Sequence, residues 1–84
     1  MNKKEIVNKL TKIISGIRSF KNIKNLDINV FNFVSSGHLD SFELLKFHML
    51  VEKKFKITLN AKDASSKKSS TIGGLASIIY KKIK

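Results

Sequence analysis

The stretch Asp40-Ser41-Phe42-Glu43-Leu44-Leu45-Lys46-Phe47-His48-Met49-Leu50-Val51-Glu52-Lys53-Lys54-Phe55 decides how the chain folds. Asp40 stands three residues before Glu43, immediately ahead of an apolar run. That is the pattern of a capping box, in which the aspartate accepts from a first-turn amide and the glutamate reaches back. A helix over residues 40–55 is therefore predicted. At about 100° per residue, Leu44, Phe47, Val51 and Phe55 share one side of it, enough to bury the helix. Phe42, Leu45 and Met49 form a second stripe on roughly the opposite side, flanked by Lys46, Lys53 and Lys56. Either the helix is surrounded, with lysine stems snorkelling outward, or the second stripe stays exposed as a docking surface. The framing lysines favour exposure, because a fully buried lysine is rare.

Working outward, Asn60 to Ser70 is polar, with a short helical turn expected around Ala61–Ser65. Ser70 or Thr71 then caps a last helix that carries Ile72, Leu75, Ala76, Ile79 and Ile83 on one face. Its lysine-rich end suits the negative end of the helix dipole. Gly73-Gly74 inside this helix costs about 1 kcal/mol per residue relative to alanine, which points to close packing at its first turn. Upstream, Ile6, Leu10, Ile13, Ile14 and Ile17 make one stripe of an amphipathic helix over residues 3–17. Between Ser19 and Leu39 the alternation of Leu26, Ile28 and Val30 with Asp27 and Asn29 resembles a strand. No second strand of similar quality exists to satisfy its backbone. The expectation is a long loop packing Leu26, Ile28, Phe31 and Phe33 against the helices, and an all-α bundle overall.

The totals set outer limits. A chain of 84 residues that is 42% hydrophobic supports one domain with one modest core, too small for a deep enclosed catalytic pocket. Cysteine is absent, which excludes disulfides and thiolate zinc sites. No apolar run approaches the roughly 20 residues of a membrane span, and the first residues lack the apolar stretch of a signal peptide. A cytoplasmic protein is expected. The net charge of +11 fits two readings: a footprint for nucleic acid or anionic membrane, or compositional drift. Of the 17 cations, 16 are lysines spread from Lys3 to Lys84, and Arg18 is the sole arginine. Readers of bases rely on the arginine fork, so nucleic-acid binding is the weaker reading. His38 and His48 are the only histidines, and no nucleophile–histidine–carboxylate or metal-ligand grouping can be assigned around them.

Ser41 occupies the first turn of the central helix. Routine helix-start chemistry explains a serine there, but the free amides and positive dipole end also suit a phosphate ester. The stretch Gly37-His38-Leu39-Asp40-Ser41-Phe42-Glu43-Leu44-Leu45 resembles the signature of acyl and peptidyl carrier proteins, an Asp-Ser-Leu variant opening the second helix after a Gly-containing turn. The likeness continues through Glu52, Phe55-Lys56-Ile57 and Ser70-Thr71-Ile72-Gly73-Gly74-Leu75, and so covers nearly the whole chain.

The resemblance implies a four-helix bundle with a long first loop. It implies that Ser41 carries 4′-phosphopantetheine through a phosphodiester, added by a phosphopantetheinyl transferase with coenzyme A as donor. The thiol of the arm would hold a thioester cargo, passed between a loading enzyme and downstream acceptor enzymes. The protein would then be a carrier and no enzyme, and the absence of cysteine leaves the arm as the only reactive thiol. Asp40 would help position the transferase and its metal. Phe42, Leu45, Lys46, Met49 and Lys53 would meet the partners, while His38 reads as a loop residue beside the motif and His48 as a helix-flank residue rather than a general base. Carriers of fatty-acid synthesis usually present an acidic second helix. Here Lys46, Lys53, Lys54 and Lys56 against Glu43 and Glu52 give net +2 (four minus two). That sign points to a dedicated acyl or aminoacyl pathway such as cell-surface polysaccharide, lipid or secondary-metabolite assembly. The Gly-His-Leu-Asp-Ser form is also similar to stand-alone carriers of alanine used in cell-wall modification. The alternative from another class is a basic helical module binding nucleic acid or an anionic membrane.

Overall fold

In the computed structural model, residues 1–20, 27 and 29–83 are described. Among the described residues four α-helices appear in the order α1 (Lys3–Ile17), α2 (Ser41–Phe55), α3 (Ala61–Ser65) and α4 (Ile72–Ile83), with a 3₁₀ turn, Lys67–Ser70, between the last two. Each start has a local cause. The Asn2 side chain accepts from the Glu5 amide at 2.8 Å and caps α1. Asp40 and Glu43 form the expected capping box on α2, and Asn60 and Asp63 repeat it on α3. Thr71, rather than Ser70, caps α4, its Oγ1 accepting from the Gly74 amide at 3.1 Å. The 3₁₀ turn was not expected. Ser66 accepts from the Lys68 amide to start it, and buried Ser69 turns its hydroxyl onto the Ser66 and Ala64 carbonyls.

The core collects Ile6, Leu10 and Ile14 of α1, Phe47, Val51 and Phe55 of α2, and Ile72, Leu75, Ala76 and Ile79 of α4. Ile13, Ile17, Leu44 and Ile83 are only partly buried at its edge. Helix α1 packs against both α4 and α2. This leaves α2 on an outer position with one face buried, rather than surrounded. Arg18, just past α1, pairs with Glu43 in the first turn of α2. At the other end Lys54 of α2 lines a cavity with Glu5 and Asn8 of α1. The two helices therefore run antiparallel.

The loop between α1 and α2 is held by backbone pairing as well as by its side chains. Phe33 is fully buried and meets Phe47 edge-on, with ring centroids 5.3 Å apart. Phe31 is half-buried. Asn32 bridges Thr71 in antiparallel fashion, Phe33 donates to the Ser70 carbonyl, and the Gly73 amide donates to the Asn29 carbonyl. Leu26 and Ile28 lie outside the described residues. The close approach explains the glycine pair of α4. A Cβ on Gly73 would lie 2.8 Å from the Asn29 carbonyl oxygen, and one on Gly74 would overlap the Lys68 carbonyl. No helix among the described residues is long and apolar enough to cross a membrane.

Candidate functional site

The site is built on the start of α2. Gly37 has a φ of 77°, a left-handed conformation that glycine adopts without a Cβ clash, and it turns the chain toward the helix. Buried Leu39 anchors the residue before the cap and donates its amide to the Phe33 carbonyl at 3.0 Å. Asp40 Oδ1 then accepts from the Glu43 amide at 2.8 Å, and Glu43 Oε1 accepts from the Asp40 amide at 3.1 Å. The cap is thus supplied entirely by Asp40 and Glu43. Ser41, the first helical residue, is exposed, and its hydroxyl makes no hydrogen bond among the described residues. The amides of Ser41 and Phe42 belong to the helix start and have no acceptor one turn back.

Two clamps hold this turn against the end of α1. Arg18 Nη2 lies 3.2 Å from Glu43 Oε2, and the carbonyl of Arg18 accepts from Nε2 of His38 at 3.1 Å. The His38 ring stacks on Phe20, centroids 4.6 Å apart and planes within 2°, while Phe31 meets both rings edge-on. His38 is therefore a buttress under the Ser41 turn. No local sequence pattern gives Arg18 or Phe20 a role in this turn. Their partners lie 25 and 18 residues away, beyond any local pattern.

Beyond the turn, the second stripe of α2 is open to solvent: Phe42 is 80% exposed, Leu45 60% and Met49 62%. Leu50, which the two-stripe pattern left unassigned, is 38% exposed beside them. Phe42, Leu45, Lys46, Met49 and Leu50 line a shallow apolar depression on this face. Lys46 and Lys53 are exposed and form no ion pair among the described residues. Both carboxylates of the helix are engaged internally: Glu43 by Arg18 and the Asp40 amide, Glu52 by the Leu59 amide at 2.7 Å. The lysines therefore dominate the exposed charge of the helix.

His48 flanks the buried face of α2. Burial holds its imidazole below the usual histidine pKa, opposed in part by the charge of Glu52, and its Nε2 has no hydrogen-bond partner among the described residues. No side-chain hydrogen bond among the described residues joins either histidine to a nucleophile or a carboxylate. Among the described residues no group of three or more His, Asp or Glu is placed to hold a metal ion.

No family model, no curated protein and no solved structure matches the chain.

Proposed function

We propose that the protein is an acyl or aminoacyl carrier of the acyl-carrier-protein type, with 4′-phosphopantetheine attached to Ser41. One observation supports this above the rest. A serine with a free, exposed hydroxyl opens α2 while the neighbouring aspartate and glutamate do all the capping. A serine needed for the cap would point its oxygen at a first-turn amide. Ser41 instead leaves its oxygen available for attachment, at the positive end of a 15-residue helix.

The chain's own contribution follows from the geometry. The free amides of Ser41 and Phe42 and the helix dipole favour the phosphodiester that would form when the serine oxygen, giving up its proton to a base of the transferase, bonds to the pantetheine-side phosphorus of the coenzyme A pyrophosphate and 3′,5′-adenosine diphosphate leaves with the bridging oxygen. Asp40, the residue before Ser41, has its carboxylate fixed by the Glu43 amide and would help to align a transferase and its metal. The Phe42, Leu45 and Met49 stripe, with Lys46 and Lys53, begins one residue from the attachment point. A partner seated there meets the root of the arm. The arm supplies the thiol for the thioester, and the protein itself catalyses no step. The free lysines of α2 suit partners with neutral or acidic docking surfaces, which favours a dedicated pathway over bulk fatty-acid synthesis.

The test is incubation with coenzyme A and a broad-specificity phosphopantetheinyl transferase, followed by intact-mass measurement. The protein gains the mass of one arm, and Ser41→Ala gains none. Arm attachment at another residue, or its persistence in the alanine variant, contradicts the assignment. The unpaired lysines also favour a second reading, a basic module for nucleic acid or anionic membrane. It predicts salt-sensitive binding that survives Ser41→Ala.

A further inference from the structure

Beside the Ser41 turn lies a second feature, of which the carrier reading uses only Lys46 and Lys53. The antiparallel pair α1 and α2 encloses an open groove of about 680 Å³, lined by Lys12, Ile13, Gly16 and Ile17 of α1 and Lys46, Leu50, Lys53 and Lys54 of α2. Its apolar part is Ile13, Ile17 and Leu50, and its charged part is lysine alone, with no carboxylate among the lining residues. None of the four lysines forms an ion pair among the described residues. Lys46 and Lys53 stand two turns apart on α2, a spacing of about 10 Å along the axis.

Gly16 adds an independent observation. Glycine is the poorest helix former after proline, so its place in the last turn of α1 needs a reason. The fold gives none: its φ is not positive, and a Cβ built there would meet nothing within 4 Å. The contrast with Gly73 and Gly74, which neighbouring backbone forces to be glycine, is sharp. Gly16 leaves a gap in the wall of the groove, where the backbone of α1 can be approached closely from outside.

We infer that this groove receives an acidic amphipathic helix of a partner protein. The apolar ridge of that helix lies over Ile13, Ile17 and Leu50, passing close to Gly16, and its carboxylates meet Lys12, Lys46, Lys53 and Lys54. A helix fits a concave channel between two helices, with anchors at i, i+3, i+4 and i+7. A bilayer surface is flat and would leave the channel unfilled, so concavity favours a helix over an anionic membrane. The sign of the walls then selects acidic flanks. The groove shares Lys46 and Lys53 with the face beside Ser41, but the inference does not rest on the arm and applies equally to the unmodified chain.

The test uses the unmodified Ser41→Ala protein, so its outcome is separate from that of arm attachment. The probes are two synthetic helical peptides of about 18 residues, roughly five turns, sharing one leucine ridge. One is flanked by glutamates and the other by lysines. In an NMR titration the glutamate peptide is expected to bind saturably and to move the amides of Ile13, Gly16, Ile17 and Leu50. The lysine peptide binds at least about tenfold more weakly. Lys12→Glu combined with Lys54→Glu lowers affinity for the glutamate peptide by about tenfold or more. Gly16→Leu melts no lower than the parent yet loses binding by a similar factor, because its side chain occupies the groove. Equal affinity for both peptides, shifts confined to Phe42, Leu45 and Met49, or undiminished binding by both variants overturns the inference. So does binding to phosphatidylglycerol vesicles without binding of the glutamate peptide.

Discussion

Ser41 and Asp40 are neighbours with divided labour, and the division is testable. Asp40 carries the cap, so Asp40→Ala should cost about 1 kcal/mol of stability, read as a shift in denaturant midpoint. Ser41→Ala should leave the midpoint nearly unchanged, since the serine hydroxyl holds nothing. Equal losses would mean that the serine is part of the cap, and the case for its availability would fall. His48 makes a second statement at this scale. Its folded pKa is depressed by burial, so near and below the ordinary histidine pKa the unfolded chain binds more protons than the folded one. The stability it contributes is complete above about pH 6.5, the unfolded value. That contribution falls as the pH drops toward the depressed folded value. His48→Gln should flatten this part of the stability–pH curve, and an unchanged slope in the variant would assign it to other groups.

At the scale of the element, α2 was legible because its information is local. The capping box lies within four residues, and Phe47, Val51 and Phe55 follow the helical period into the core. Leu44 shares their stripe but is only partly buried, at the edge of the core. Less legible was everything fixed by distant neighbours. The groove between α1 and α2 needs two helices to exist. The 3₁₀ turn depends on Ser69 reaching back to Ala64 and Ser66, and the Asn32–Thr71 bridge joins segments far apart in sequence. The glycine pair was read as a sign of close packing, but the packing partners, Asn29 and Lys68, appear only in three dimensions.

The two faces of α2 should respond differently to truncation. Phe47→Ala is expected to destabilise by about 3–5 kcal/mol and Val51→Ala by somewhat less. Leu45→Ala and Met49→Ala should cost little stability yet slow loading by a partner enzyme. Equal destabilisation from both pairs would mean that the outer stripe is buried in solution. The helix end offers a further check. Lys56 adopts a left-handed conformation, φ 55°, as its amide and that of Ile57 close on the Glu52 carbonyl. Lys56→Gly should therefore stabilise by about 1 kcal/mol.

At the scale of the whole molecule, charge separates this chain from acidic carriers. Net +11 is spread along the sequence, but on α2 the carboxylates are engaged by Arg18 and the Leu59 amide, while Lys46 and Lys53 form no ion pair among the described residues. Electrostatic complementarity governs encounter rate and partner choice more than final affinity. Enzymes of fatty-acid synthesis should accordingly use the arm-bearing form poorly. Replacing Lys46 and Lys53 by glutamate should improve that use and slow the cognate loading enzyme, with both effects shrinking at high salt as exposed charges are screened. Efficient turnover of the unaltered protein at low salt, with no gain from charge reversal, would make the lysines mere surface drift.

The central claim is that Ser41 holds an arm and the arm holds a cargo. Intact mass spectrometry of the protein purified from its native cell, under conditions that keep thioesters whole, tests it most directly. The account predicts the chain mass plus one phosphopantetheine on Ser41, with a fraction heavier by an acyl or aminoacyl group that hydroxylamine removes. A chain that carries no arm on Ser41, in cells where other carriers are modified, would contradict it.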